Sequence, residues 1–270
     1  MRKPLRISVV TPSLDQGRFI VRTIESVLSQ RGDFELEYVV QDGGSRDGTQ
    51  EILARHAAAG RLVARVEPDR GQADAVNKAL ATVTGDVVGW VNSDDLFLPG
   101  ALARVAQAFA DDPGLVWLHS RCVIVDEQDR PIRRWLEAYK HRLARRHRFD
   151  RLLLQNYVSQ MTVFVRRSAL LQVGFLDPAL HYTFDYDLWL RLAKLAEPRY
   201  LDQPLAAFRF YRTSKSGAHY REQFAEDWRV FLRHAPPSRW LRLRKRVKTG
   251  LILAVYRALD GLGRLRGRGG

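Results

Sequence analysis

The sequence predicts an α/β fold: a mainly parallel central sheet flanked by helices, with a C-terminal helical extension. Three observations carry this. Strand and helix patterns alternate four times within the first 110 residues, the pattern of parallel strands joined by right-handed crossovers. The first and fourth strand segments are short, uninterrupted and apolar, as expected of buried strands. Each also ends in a polar, turn-rich loop, and in such sheets the ligand crevice lies beyond the carboxyl ends of the strands.

The elements follow in order. Ile7 to Thr11 is β-rich and uninterrupted, so it reads as the first strand, and residues 12–17 as a loop. Phe19 to Gln30 is helical, with Phe19, Ile20, Ile24, Val27 and Leu28 on one face. Leu36 to Gln41 is the second strand. It runs into Asp42-Gly43-Gly44-Ser45-Arg46-Asp47-Gly48-Thr49, dense in turn residues. A helix over 49–58, a strand over 62–67, a loop at 69–72 and a helix over 73–82 follow. Asp86 to Val91 is the fourth strand, and 101–110 a helix. The second half is less regular. Short strands are expected at 115–117 and 122–126, a basic helix over 133–148, a strand over 161–166, and a helix up to Val173. A helix through Ala196 follows Tyr182, a strand covers 200–210, and a helix covers 219–234. Pro236-Pro237 then breaks the chain.

At the end of the fourth strand stand Asn92-Ser93-Asp94-Asp95. Two adjacent carboxylates where a hydrophobic strand ends are unfavourable unless something positive joins them. A divalent cation carrying an anionic substrate is one answer. A turn followed by a helix N-terminus, where Asp is favoured anyway, is the other.

Composition narrows the class. The chain has 270 residues, 46% hydrophobic and 10% aromatic, a globular composition with ample core material. A single cysteine, Cys122, excludes an internal disulfide and a cysteine zinc site. The first residues lead straight into a strand, so no signal peptide is expected, nor is a spanning helix. Neither a Gly-x-Gly-x-x-Gly nor a Gly-x-x-x-x-Gly-Lys-Ser/Thr run occurs, which counts against dinucleotide and P-loop sites.

The segments VVTPSLDQGRFI, QDGGSRDGTQEIL, EPDRGQADAVNKAL, GWVNSDDLFLPGAL and FDYDLWLRLA, in this order, resemble the family 2 glycosyltransferases of the GT-A fold. They look most like bacterial members that build cell-surface polysaccharides. The resemblance spans roughly residues 5 to 215. It implies an inverting transfer of a sugar from a nucleotide-sugar donor of UDP, GDP or dTDP type, assisted by Mg or Mn, to a glycan or lipid-linked glycan. Hard cations take oxygen ligands and neutralise charge on a departing diphosphate.

Carried over residue by residue, the resemblance assigns Asp94 to the metal, with Asn92 where the family pattern usually has its first acid. Asn92 and Ser93 lie near ribose or diphosphate. Asp95 either binds the metal or caps the next helix. Asp42 is similar to the acid that meets the donor's base, beside Gly43. Thr11, Pro12 and Ser13 match the loop packed on the nucleoside, and Asp69, Arg70 and Asp74 the third loop. Asp74 and Asn77 equally suit structural duties at a helix start. Asp185 stands where the family carries its catalytic base, without the Glu that usually precedes it. Asp187 suits a pairing with Arg191 four residues on. Gln160 matches a segment on the acceptor side. Tyr211 stands where the family often has a metal-side His, so Tyr211, Arg212 or Lys215 is left to serve the phosphates. The implied layout is a transferase domain over 1–235, with a nucleotide-binding half (1–110) and an acceptor half (111–235), plus a basic tail over 236–270.

That tail holds ten Lys/Arg and one acid, Asp260, which accounts for nine of the fourteen net positive charges. Trp240, Leu241, Leu243, Val247, Leu251, Ile252, Val255, Tyr256 and Leu259 recur at helical spacing among the cations. A basic amphipathic helix suits an inner-leaflet membrane surface, and equally a helix packed on the domain with a solvated charged face. Nucleic acid is not expected as a partner. The expectation is a cytoplasmic enzyme, peripheral on the inner face of the plasma membrane if the tail docks there. The competing readings are a non-catalytic membrane-surface or nucleic-acid-binding protein on the same fold, and a nucleotidyltransferase that would release pyrophosphate.

Overall fold

The structure is a computed structural model describing residues 4–211 and 220–266. Its first half runs β1 (Leu5–Ser13), α1 (Gly17–Leu28), β2 (Phe34–Asp42), α2 (Thr49–Ala58), β3 (Val63–Val66), α3 (Gln72–Leu80), β4 (Val87–Trp90), a short β5 (Leu96–Phe97) and α4 (Ala101–Asp111). The second half runs β6 (Trp117–Val125), α5 (Arg134–Ala144), α6 (Phe149–Leu154), a 3-10 turn (Gln160–Thr162), β7 (Phe164–Arg166), α7 (Arg167–Val173), α8 (Phe184–Leu195) and β8 (Arg199–Arg209). The last two helices are α9 (Tyr220–His234) and α10 (Arg239–Arg266).

The doubled valines explain the layers. Side chains alternate across a strand, so Val9, Val40 and Val87 face one core, while Val10, Val39 and Val88 face another. The first core is closed by α1, α2 and α4, the second by α3 and, from the other half, α6, α7 and α8. Both faces of the sheet are therefore buried, which is why these strands read as unbroken apolar runs.

The described strands form one sheet in the order β3-β2-β1-β4-β7-β6-β8-β5. β1, β2, β3 and β4 pair in parallel, and so do β6 and β8; β7 pairs antiparallel with β4 and β6, and β5 antiparallel with β8. The two halves thus share a single sheet.

Several boundaries differ from expectation. β1 continues through Pro12 to Ser13, because Pro12 and Ser13 keep register with Gln41 and Asp42. The two short strands expected around 115–126 are one strand, β6, with register shifts at Ser120 and Arg121 that accommodate the polar stretch. The expected helix over 133–148 is the shorter α5, and a separate helix, α6, begins after it at Phe149. The strand expected from Met161 opens as a 3-10 turn, where Thr162 Oγ1 bonds to the Ser159 carbonyl at 2.7 Å.

Candidate active site

Strand register brings the first three loops together. Ser13 lies opposite Asp42, and Asp42 opposite Val66. The stitching continues past the strands, with Gly43 N–H to the Ser13 carbonyl (2.9 Å) and Glu67 N–H to the Asp42 carbonyl (3.0 Å). A Cβ on Gly43 would come within 2.4 Å of Asp69 Oδ2, so glycine here lets the second and third loops touch. Asp15 and Asp47 bind the first loop to the second: Asp15 accepts from Arg46 N–H at 2.8 Å, and Asp47 from Gly17 N–H at 2.7 Å. The fourth loop joins through Gln72 Nε2, which donates to Asn92 Oδ1 at 2.8 Å.

In that fourth loop the two carboxylates part company. Asp95 is fully buried. Its Oδ1 accepts from Arg209 N–H at 2.9 Å and its Oδ2 from Asn92 Nδ2 at 3.1 Å. Burial, then the neighbouring Asp94 charge, push its carboxyl well up. Asp95 therefore braces the loop, and it makes no side-chain capping bond to the following helix α4. Asp94 keeps accessible surface. Its Oδ2 accepts from the Tyr211 hydroxyl at 2.8 Å. Burial raises its carboxyl, against the pull of Tyr211, Arg209 and Arg18.

Two residues that sequence reasoning passed over, Thr23 and Arg209, hold this loop, and a third, Arg18, lies beside Tyr211. Thr23 Oγ1 contacts the carbonyls of Ser93 (2.9 Å) and Asp95 (2.8 Å). Arg209, fully buried, donates to the Asp94 carbonyl and to Asp129, with its guanidinium 4.5 Å from the centre of the Phe19 ring. Arg18 lies 4.7 Å over the Tyr211 ring and 4.3 Å over Phe19. An arginine inside the apolar run Leu205–Phe210 was the one available signal, since a buried cation demands partners. Thr23 carried none.

Other expected site residues occupy bracing positions. Asp42 has no exposed surface, and accepts from Gly44 N–H (3.0 Å), Ser45 N–H (2.8 Å) and Ser45 Oγ (2.6 Å). These bonds hold the Gly-Gly turn. Asp74 binds Arg70 through both oxygens, to the backbone N–H at 3.0 Å and the guanidinium at 3.2 Å. It thereby secures the start of α3, while Arg70 stays exposed. Asp69 Oδ1 accepts from Gly71 N–H at 2.8 Å. Thr11 is buried against Tyr38 (3.1 Å), and Pro12 is buried too; Ser13 Oγ is buried without a protein partner. Gln160, expected on the acceptor side, instead donates to the Trp90 carbonyl at 2.6 Å and braces the end of β4. Arg212, Ser214 and Lys215 lie outside the described residues.

Asp185 sits in the first turn of α8, half-buried. One helical turn on, Trp189 stacks at 5.3 Å on Trp90, the last residue of β4, and so seats α8 against the strand that leads to Asp94. Glu226 of α9 secures the approach to Asp185. Its carboxylate accepts from the N–H groups of His181 (2.9 Å), Tyr182 (2.7 Å) and Thr183 (2.7 Å), and from Thr183 Oγ1 (2.9 Å). Nothing local in the sequence marked Glu226, because its partners lie about forty residues earlier. Lys140 of α5 interacts electrostatically with Asp185, although burial lowers its own pKa. Asp187 binds Arg191 (2.9 Å), Arg233 (3.1 Å) and His234 (2.9 Å), the structural role expected of it.

Among the described residues, no cluster of three or more His, Cys, Asp or Glu side chains is placed to cage a metal. That excludes an all-protein cage there. Mg and Mn in nucleotide sites are held by one or two carboxylates, with the remaining positions filled by phosphate oxygens and water, and Asp94 is a partly open carboxylate.

Residues 8–174 match the model of glycosyl transferase family 2. The chain belongs to that family. The putative teichuronic acid biosynthesis glycosyltransferase TuaG of Bacillus subtilis is 26% identical over 85% of this chain and 88% of its own. In fold, the chain is similar to S. aureus TarS 1-349 in complex with UDP-GlcNAc (TM-score 0.68, 20% identity, 89% of this chain and 69% of that one). It is also similar to the mannosyltransferase PcManGT from Pyrobaculum calidifontis in complex with GDP-Man and Mn2+ (TM-score 0.64, 19% identity, 97% and 80%). The fold of this family 2 member is GT-A. Two further curated relatives, 32% and 28% identical, are longer, and the chain spans 62% and 40% of their lengths.

Proposed function

We propose that this chain transfers a sugar from a nucleotide-sugar to a hydroxyl of a glycan or lipid-linked glycan, with inversion, during cell-surface polysaccharide assembly. The observation that carries the reading is the division of labour in the fourth loop. Arg209, Asn92 and Thr23 fix Asp95 and the backbone, leaving Asp94 as the accessible carboxylate beside three other strand-end loops. The relationship to TuaG supports the polysaccharide context. The donors named with TarS and PcManGT support a nucleotide-sugar in the crevice.

In this reading residues 1–110 bind the donor and 111–235 present the acceptor. Asp94 would hold a divalent cation, Mg or Mn, which when bound neutralises charge building on the departing diphosphate. Ser13, Asn92 and Ser93 line the nucleotide side, with Arg70, paired to Asp74, exposed at the rim. Asp185, held at the start of α8, takes the proton from the acceptor hydroxyl as it attacks the anomeric carbon from the face opposite the leaving group. The Tyr211 hydroxyl orients the Asp94 carboxylate.

The test is release of nucleotide diphosphate by purified protein, with Mn or Mg, across UDP-, GDP- and dTDP-sugars. Asp185→Ala is expected to lower turnover by about 10²–10⁴-fold, the usual contribution of a general base. Asp94→Ala is expected to abolish the metal dependence. Full activity of Asp94→Ala refutes the metal assignment, and release of pyrophosphate in place of diphosphate assigns a nucleotidyl transfer instead.

A further inference from the structure

Helix α10 has two unlike sides. Its inner side is anchored to the body: Leu241 packs on the core, and Lys245 is buried, paired with Asp227 and donating to the Leu154 carbonyl at 3.3 Å. Its outer side carries Trp240, Leu243, Val247 and Leu251, exposed at 67%, 51%, 56% and 65%. Spacings of three, four and four residues put these side chains in one stripe, about 16 Å long at the α-helical rise. Arg244 is exposed on one side of the stripe and Arg239 and Arg246 on the other, with Arg242 exposed farther round the helix.

We infer that this outer face of α10 is a docking surface for an anionic lipid bilayer, lying flat in the interface with the apolar stripe in the acyl boundary and the arginines at lipid phosphates. Charge complementarity selects the occupant. A second copy would set one row of arginines against another, and residues 236–270 offer only Asp260 as counter-charge. Nucleic acid would engage the arginines and leave the Trp-Leu-Val-Leu stripe in water. An anionic bilayer satisfies both features at once. None of the described helices is long and apolar enough to cross a membrane, so the mode is surface docking. The inference stands independently of the donor-site assignments.

The experiment is sedimentation of the full chain with vesicles of phosphatidylcholine alone and of phosphatidylcholine mixed with phosphatidylglycerol. Binding is expected to be at least about tenfold tighter to the anionic vesicles, and to weaken with salt. The paired changes Val247→Glu with Leu251→Glu, and Arg242→Glu with Arg244→Glu, are each expected to reduce it at least about tenfold, with the circular dichroism spectrum unchanged. Brominated lipid should quench wild-type tryptophan fluorescence, and Trp240→Phe should lose that quenching. Equal affinity for neutral vesicles, absence of binding, or undiminished binding by both variants overturns the inference. A concentration-dependent dimer abolished by Val247→Glu also overturns it, and assigns the stripe to a second copy.

Discussion

Glu226 serves the candidate base from another helix. Four donors converge on its carboxylate just ahead of Asp185. Burial would raise its pKa, but these hydrogen bonds outweigh it and the carboxyl is held below its usual value. The folded pKa is therefore the lower one. Its stabilisation is complete above the ordinary value of 4.5 and is lost as pH falls through the lowered folded value. Glu226→Gln is expected to lose about 1–3 kcal/mol in urea melts at neutral pH, and to lower turnover more than it changes donor KM. Asp187 behaves alike. Burial opposes ionisation, but His234 and Arg191 bring its pKa from 3.8 to about 2. Allowing for solvent screening, that contributes about 1–2 kcal/mol, present above pH 3.8 and lost between there and about pH 2. The stability gap between wild type and Asp187→Asn should be constant above pH 3.8 and close between there and about pH 2 in acid titrations. The type of these residues was legible in the sequence, their employment only partly so. Asp187–Arg191 is a local helical pair and could be read; Glu226 has distant partners and could not.

At the scale of elements, α10 settles a question the pattern left open. Its composition suited both a packed helix and a membrane-facing one, and the structure shows one side packed and the other exposed. Lys245 and Asp227 form the anchoring pair. Burial pushes the lysine down and the aspartate up, each offset by its partner. Lys245→Ala leaves a buried carboxyl without its cation, and is expected to cost about 3–5 kcal/mol in denaturant melts, whereas Lys245→Met with Asp227→Leu should be near neutral. If both variants melt alike, the pair is not what seats α10. The boundaries of β1 and β6 were misread for a related reason. Pro12 and the polar stretch His119-Ser120-Arg121 weaken strand propensity, yet register with β2 and β8 keeps both in the sheet.

At the scale of the whole molecule, one sheet serves both halves, and side chains stitch them further. Asn77 of α3 pairs with the backbone of Leu176, its amide donating to the carbonyl at 2.8 Å and its oxygen accepting the N–H at 3.0 Å. Asn77→Ala strands both backbone groups and is expected to cost about 1–3 kcal/mol. Because both cores lie on the same sheet, unfolding should remain a single transition by fluorescence and circular dichroism. Two separated transitions would contradict a shared sheet. By itself the sequence determined the α/β alternation, the family and the convergence of four polar loops, because hydrophobic periodicity and turn chemistry are written locally in the chain. Only the tertiary structure decided how the acids are partnered. Asp94 and Asp95 are adjacent and chemically identical, yet Arg209, more than a hundred residues away, donates its N–H to the Asp95 carboxylate, while the Asp94 carboxylate takes the Tyr211 hydroxyl and keeps some accessible surface. Burial and hydrogen-bond partnership are set by distant neighbours, and no local pattern records them.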